Sequence, residues 1–265
     1  MRKTSSTGTV SLIIGYAFLY LPILFLIVFS FNESRLPGVW VGFSTKWYAL
    51  LFDNEELLAA VLTSFQIASM SATGAVILGT LAAVSMVRFG FFRGRTLFSG
   101  MISAPLVMPE VITGLALLLM CVTFERLIGW PSERGMMTVT IAHTTLAMAY
   151  VYLIVQARLQ DFDRSLEEAA QDLGARPIMV FFKITLPLIA PSLLAGWLLA
   201  FALSLDDVVL ASFLSGPGAT TLPILIFSSL RLGITPEINA LAAIIVGIVS
   251  IGVTIAGFVM VRKKR

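Results

Sequence analysis

The chain has 265 residues, of which 58% are hydrophobic and only 12% are charged. Soluble domains carry roughly 45–50% apolar and about 25% charged residues, so this composition excludes an ordinary soluble domain and indicates a membrane protein with several spans. The formal charge of +3 does not indicate nucleic-acid binding, because the basic residues lie at the ends of apolar segments, where they orient a membrane protein.

Six apolar segments are long enough to cross a bilayer, since a transmembrane helix needs about 20 residues. The first is too long for the apolar part of a secretory signal and precedes no typical cleavage site, so we expect an uncleaved span. Cys121, the only cysteine, lies in the third segment, where we expect a small buried side chain without a disulfide or metal role. The predicted spans are 10–31, 57–87, 97–124, 136–156, 188–214 and 238–261.

The Lys and Arg residues predict the orientation of these spans. Of the 18, thirteen fall on one side of the membrane and five on the other, and the more basic side is expected to face the cytoplasm. This predicts both termini inside and a single transmembrane domain of residues 1–265. Amphipathic rings favour the headgroup level, and those in or beside the predicted outer loops are Trp40, Trp47, Tyr48 and Trp130.

The inner loop at about 158–187 is polar, and its sequence predicts a short helix. Ser165 and Glu168 have the spacing of a capping box, which predicts a helix start near Leu166. Gly174 predicts the end of that helix through a residue with positive φ. Pro177 can start a second short helix at its first position, and Pro187 predicts an interruption before the fifth span.

A two-turn helix of this kind is too short to be stable alone in water, so it must pack on something. Spacing alone supports docking on a partner and packing on its own bundle equally. The helix has one narrow apolar stripe of Leu166, Ala169, Ala170 and Leu173, with Glu167, Glu168, Gln171 and Asp172 on the remaining faces, where acids could meet basic groups of a partner.

The segment EAAQDLGARPIMVFFKITLP resembles the EAA loop of permease subunits in bacterial ABC importers, with each position of E-A-A, three residues, G, nine residues, I-x-L-P filled. The resemblance implies an all-α fold of the type I importer permeases, with six transmembrane helices and a cytoplasmic coupling helix that sits in a cleft of a separate ATP-hydrolysing subunit. The residues that it implies for this coupling are Glu167, Glu168, Ala169, Ala170, Asp172, Leu173, Gly174 and Ala175.

Further segments are similar to the polyamine branch of these permeases. They read WVGFSTKWY, APLVMPEVITG, LSLDDVVLASFLSGPGATTLP and PEINALA. The resemblance implies an importer of putrescine or spermidine in the bacterial inner membrane. Its expected partners are a homologous permease forming a heterodimer, two ATP-binding subunits carrying ATP and Mg²⁺, and an extracytoplasmic polyamine-binding protein. Glu110 departs from the branch, which has an aspartate there, so its reach is longer by a methylene.

Three acids lie within the predicted spans: Glu110, Asp206 and Asp207. A charged residue at mid-membrane costs roughly 2.5–3.5 kcal/mol on insertion scales, so these acids are not expected to face lipid. At 1.5 Å per residue, Asp206 lies ~27 Å and Glu110 ~20 Å from the inner end of its span. We expect them to border an outward-opening cavity and to attract a cationic amine.

The sequence is also compatible with a purely structural role for these acids. Adjacent helical residues point about 100° apart, so one aspartate is expected to face the pathway while the other caps a break or bonds a neighbouring helix. Pro105, Pro109 and Gly114 also predict a broken helix beside Glu110, where the acid would satisfy polar groups at a helix end.

Two other function classes compete with an ATP-driven importer. A self-sufficient secondary transporter would use the intramembrane acids as a cation relay, but it leaves the inner helix without a role. An intramembrane enzyme has little support, since the chain has no H-E-x-x-H motif and one histidine, His143, expected to bond a neighbouring helix. No phosphate-binding loop is present in the sequence, so ATP hydrolysis is expected on another chain.

Overall fold

The structure is a computed structural model that describes residues 6–36, 38–232 and 236–263, and within these ranges the chain is helical with no β-strand. In chain order the helices are α1 (Ser6–Phe29), α2 (Lys46–Asp53), α3 (Glu55–Arg88), α4 (Arg95–Val107), α5 (Glu110–Ile128), α6 (Met136–Gln160), α7 (Ser165–Asp172), α8 (Pro177–Val180), α9 (Leu186–Asp206), α10 (Val209–Leu214), α11 (Leu222–Leu232) and α12 (Pro236–Lys263). A π-helical turn, Phe181–Thr185, joins α8 to α9. The predicted all-α class is confirmed.

The long apolar helices correspond to the predicted spans. Five stretches of the described chain are long and apolar enough to cross a membrane, and the predicted sixth span, 238–261, lies within α12. The apolar part of α12 found in the described residues, Pro236–Gly252, is shorter. The five long stretches are Gly8–Phe29, Glu55–Arg88, Glu110–Ile128, Met136–Gln160 and Pro177–Asp206.

Two predicted spans are not continuous helices. The third breaks between α4 and α5, because Pro109 has no N–H to donate and forces Met108 into an extended conformation (ψ 136°). The break that the prolines predicted beside Glu110 is therefore confirmed. The fifth span also breaks, at Asp207, whose ψ of 124° ends α9 before α10 begins.

The chain divides into two compact units, of which the first comprises residues 1–58 and 226–265. In this unit α12 packs against α1 and α2. Asn32 organises the segment between α1 and α2: its Nδ2 donates to the Val39 carbonyl at 2.7 Å, and its own carbonyl accepts the Trp47 indole N–H at 2.6 Å. Trp47 is consequently buried within the chain, whereas Trp40 is exposed.

The second unit, residues 59–225, has α6 at its centre, with α4, α5, α9 and α10 packed around it. Its core combines small and β-branched side chains, including Ala83, Val151 and Val155. At Gly79 a Cβ atom would lie 2.9 Å from the Met148 carbonyl oxygen, so only glycine permits this close approach of α3 to α6. Cys121 is buried as predicted, in a second cluster between α5, α6 and α10.

The fifth span begins differently from the prediction. Pro187 was expected to interrupt the helix, but the helical path runs through it from α8 to α9. The π-helical turn lies directly before Pro187, and the Leu186 N–H bonds the Phe181 carbonyl five residues back. Such a widened turn accommodates the proline ring and the missing N–H, so no break is needed.

Candidate functional site

The inner-loop helix α7 has defined ends. At its start the predicted capping box is absent, because Ser165 is already helical and makes no side-chain cap. Instead the Asp163 carboxylate accepts the Ser165 N–H at 3.0 Å, and this bond holds the pKa of Asp163 below its usual value. The end of α7 before Gly174 agrees with the prediction, and Pro177 begins α8 as expected.

Gly174 closes α7 with φ of +85°. Its N–H bonds the Gln171 carbonyl at 2.8 Å, and the Ala175 N–H bonds the Ala170 carbonyl at 3.0 Å. These two bonds form a Schellman motif, which satisfies carbonyls that the end of a helix leaves free. A side chain at position 174 would be strained in this conformation, so the turn after α7 depends on glycine.

Most of the apolar stripe of α7 is exposed, and only Ala170 is half-buried against the described part of the chain. Leu166 is 49% exposed and Leu173 is 90% exposed, and α7 contains no buried residue. Glu168, Ala169 and Asp172 are exposed with them. The alternative in which this stripe packs on its own bundle is therefore not observed, and the stripe remains available to a partner.

Glu167 does not share this exposed surface. Its Oε1 accepts a hydrogen bond from the Arg88 guanidinium at 3.0 Å and another from the Thr185 hydroxyl at 2.6 Å. The Glu167 carboxylate is thus already bonded within the chain, and a contact of Glu167 with a partner stays a prediction. Arg88 and Thr185 were missed, and neither lies near Glu167 in sequence: they are 79 and 18 residues away.

Asp207 occupies the break between α9 and α10. Its Oδ1 accepts the Ala211 N–H at 2.9 Å and lies 3.3 Å from His143 Nε2, while His143 Nδ1 is 2.6 Å from the Ser204 hydroxyl. Asp207 therefore caps the first turn of α10 and ties the break to α6. The cap agrees with the expectation that one aspartate of the pair caps a break or bonds a neighbouring helix, and the bond of His143 to Ser204 joins α6 to α9.

Ser204, His143 and Asp207 have the residue types of a hydrolytic triad, but their surroundings do not suit catalysis. The side chains of His143 and Asp207 are 2% and 6% exposed. The void beside them measures only about 10 Å³, which is room for about one water molecule. A substrate cannot reach the serine hydroxyl, so this group is a structural network that holds α9 against α6.

Asp206 and Glu110 are both exposed, and both lie at helix breaks. Asp206 is the last residue of α9, and Glu110 is the first residue of α5, where the helix dipole favours a negative charge. No ion pair or side-chain hydrogen bond joins either carboxylate to another residue in the described ranges.

The two breaks lie in one region of the second unit. Gly114, one turn after Glu110, packs so closely that a Cβ atom there would lie 2.7 Å from Phe213 Cδ2 and 3.4 Å from Leu210. The start of α5 therefore lies beside α10, which follows Asp206 and Asp207. For the residues that the structure describes, no group of three or more His, Cys, Asp or Glu side chains is placed to hold a metal ion.

Comparison of the sequence with known proteins identifies the family of this chain. Residues 75–263 match the family model described as the binding-protein-dependent transport system inner membrane component. The chain is 56% identical to the putrescine transport system permease protein PotI of Escherichia coli (strain K12), over 97% of this chain and 91% of that protein. It is 41% identical to the spermidine/putrescine transport system permease protein PotC of the same strain, over 94% of this chain and 91% of that protein.

Solved structures share the fold. One is a bacterial ABC transporter involved in the import of the acidic polysaccharide alginate, with a TM-score of 0.69, 17% identity and 99% coverage of both chains. Another is the alginate transporter in complex with a periplasmic protein bound to an alginate pentasaccharide, with a TM-score of 0.72, 17% identity and coverage of 97% of this chain and 93% of that chain. The predicted importer permease fold is therefore confirmed.

Proposed function

The chain belongs to the family of binding-protein-dependent transport system inner membrane components, and from this premise we propose that it is the membrane permease of an ATP-driven importer for polyamines. Relatives that are 56% and 41% identical over most of their length carry putrescine and spermidine in their names. A polyamine is a flexible cation, so it requires acidic counter-charges along its path. Glu110 and Asp206 are exposed carboxylates of this kind.

The observation that carries the proposal is the construction of α7. This helix has closed ends and one acid bonded to the bundle, yet its apolar side chains Leu166 and Leu173 are exposed. A short helix with such a face is stabilised by docking. The docking surface in this proposal comprises Glu168, Ala169, Ala170, Asp172, Leu173, Gly174 and Ala175.

The partner of this surface is a separate ATP-binding subunit, which carries ATP and Mg²⁺. The inner loop must then face the cytoplasm, and both termini lie on the same side as that loop. Six spans enclose half of a pathway, so a homologous permease completes the membrane part, with two ATP-binding subunits inside and a polyamine-binding protein outside. This chain couples transport to ATP hydrolysis and supplies no catalytic residue.

Cross-linking tests the docking of α7, and the single native cysteine makes it simple. In a Cys121→Ala background, Leu173→Cys is combined with a cysteine in the ATP-binding subunit, and the complex is oxidised in membrane vesicles. We expect a cross-link that changes in yield when ATP is added. The matched control is Leu127→Cys, which is 73% exposed at the end of α5, on the other side of the membrane in the proposed orientation.

An equal yield at Leu173 and Leu127, or none at Leu173 in an importer that transports, would contradict this docking. If the chain were a self-sufficient secondary transporter, uptake of radiolabelled putrescine would persist after removal of the ATP-binding subunit. We expect uptake to stop when that subunit is removed.

The pathway acids are tested by amide exchange. Glu110→Gln and Asp206→Asn remove charge with little change in shape, and we expect each to reduce putrescine uptake, with a larger loss in the combined variant. The control is Asp53→Asn, an acid at the end of α2 and outside both breaks. Unchanged uptake in the combined variant, at equal amounts of assembled importer, would exclude these acids from the pathway.

A further inference from the structure

One carboxylate oxygen connects three helical segments beneath the coupling helix. Glu167 Oε1, in the first turn of α7, is bonded to Arg88, the last residue of α3, and to Thr185, the last residue of the π-helical turn before α9. The Arg88 and Glu167 side chains are 15% and 14% exposed. A pair shielded to this degree is screened less by salt than a surface ion pair.

Other contacts hold the same end of α3 to the inner loop. Arg164, directly before α7, donates to the Val87 carbonyl at 2.8 Å. The Arg88 guanidinium also lies over the Phe162 ring, 5.5 Å from its centroid. The last turn of α3 is therefore bound by residues that immediately precede α7 as well as by Glu167 within it.

Polar bonds are the main connection of α7 to the bundle. The helix contains no buried residue, so hydrophobic burial within the chain does little to hold it. The bonds of Glu167 are also charge-assisted, which makes each about twice as strong as a neutral hydrogen bond. Removing the Glu167 carboxylate would leave α7 joined to α3 and α9 chiefly through the flanking loop.

We propose that Arg88, Glu167 and Thr185 are positioning residues that form a clasp, through which α7, α3 and the start of α9 move together when the ATP-binding subunit displaces α7. This inference rests on the proposed docking of α7. Without the clasp, displacement of a two-turn helix is absorbed by its flanking loops. With it, the displacement reaches α3 and α9, the two long helices that the clasp joins.

The surroundings of the clasp leave room for such movement. A cavity of about 330 Å³ adjoins it, lined by side chains that include Arg88, Glu167, Gln171 and Thr185. The second guanidinium nitrogen of Arg88, Nη1, is buried and makes no hydrogen bond to a described residue. The π-helical turn ends at Thr185, and such turns occur where a helix accommodates a local change in register.

The test compares transport with ATP hydrolysis in the complete importer, reconstituted in vesicles with its binding protein. Glu167→Gln and Arg88→Gln each remove the ion pair, and we expect putrescine transported per ATP hydrolysed to fall about fivefold or more, the range of typical coupling energies. Thr185→Val removes one hydroxyl without a charge and should give a smaller fall. The exchange variant, Arg88→Glu with Glu167→Arg, should recover part of the ratio.

The controls are charges of the same inner loops that lie outside the clasp. Asp161→Asn and Arg93→Gln alter exposed residues that make no ion pair or side-chain hydrogen bond among the described residues. Both should keep the ratio of the unmodified importer. This ratio separates a positioning role from a merely structural one, because a loss of folded or assembled importer lowers uptake and hydrolysis in proportion.

Three outcomes would contradict the proposed role of the clasp. A proportional loss of uptake and hydrolysis in the charge variants makes the ion pair structural only. Uptake and hydrolysis that are both unchanged in Thr185→Val and in both charge variants show that the displacement does not pass through these residues. If the unmodified importer shows no ATP-dependent uptake, the proposed function is wrong and the clasp proposal fails with it. The unmodified importer is assayed first, so this failure is distinguished from a failure of the clasp alone.

Discussion

The inner loop and the end of α9 each contain two adjacent acids, and in both places one acid is bonded while its neighbour is exposed. Glu167 is held within the chain beside the exposed Glu168, and Asp207 is buried beside the exposed Asp206. Adjacent positions of a helix point about 100° apart, which separates Glu167 from Glu168, whereas Asp207 lies in the extended break that follows Asp206. An acid that fixes the structure can thus stand next to one that meets a partner or a ligand.

The two bonded acids differ in what they require. Glu167 meets a guanidinium and a hydroxyl at a partly accessible site, so its charge contributes to the interaction. Asp207 accepts a backbone N–H in an enclosed site, where an oxygen acceptor suffices for the cap. An amide at position 207 therefore keeps the cap, whereas an amide at position 167 keeps an oxygen acceptor but loses the charge that strengthens the bond from Arg88.

The largest effect on stability is expected at Asp207. Asp207→Ala leaves the Ala211 N–H without its acceptor and His143 without its neighbour, and we expect a loss of about 2–4 kcal/mol in the free energy of unfolding. Asp207→Asn should lose much less, because its side-chain carbonyl can accept the same N–H. Thermal unfolding in detergent measures both, and equal losses would show that the charge of Asp207 matters more than the cap.

Packing beside the break should give the next largest effect. In Gly114→Ala the new methyl group would meet Phe213 at 2.7 Å, so α5 and α10 must separate, with an expected loss of about 1–3 kcal/mol. The control is Gly100→Ala in α4, where no atom lies within 4 Å of the new Cβ and a gain of about 0.5–1 kcal/mol is expected. A stable Gly114→Ala protein would mean that α10 is not held against α5.

The smallest effect on stability is expected at Glu168, the exposed partner of Glu167. Glu168→Gln should change the free energy of unfolding by less than about 0.5 kcal/mol, since the side chain makes no bond within the described chain. It should nevertheless weaken association with the ATP-binding subunit, measured by co-purification at rising salt concentration. If Glu168→Gln instead destabilised the isolated chain as strongly as Glu167→Gln, the distinction between the two acids would fail.

Much of the architecture was predictable because it depends on local patterns. Apolar length marked the spans, Pro109 predicted the break before α5, and Gly174 predicted the end of α7. These features follow from the chemistry of one residue or one continuous segment. The capping of α7 was misjudged because two local acceptors competed, and Asp163 bonds the Ser165 N–H in place of the expected capping box.

The sequence by itself determined the helices, the break before α5 and the presence of two adjacent acids at each site. Only the tertiary structure decided which acid of each pair is held, since Arg88 and Thr185 lie 79 and 18 residues from Glu167, and His143, which lies beside Asp207, is on a separate helix. It also decided that Trp47 is buried, through a bond to the Asn32 carbonyl. Periodicity gives the direction of a side chain around its own helix, but the group it meets depends on how separate helices pack.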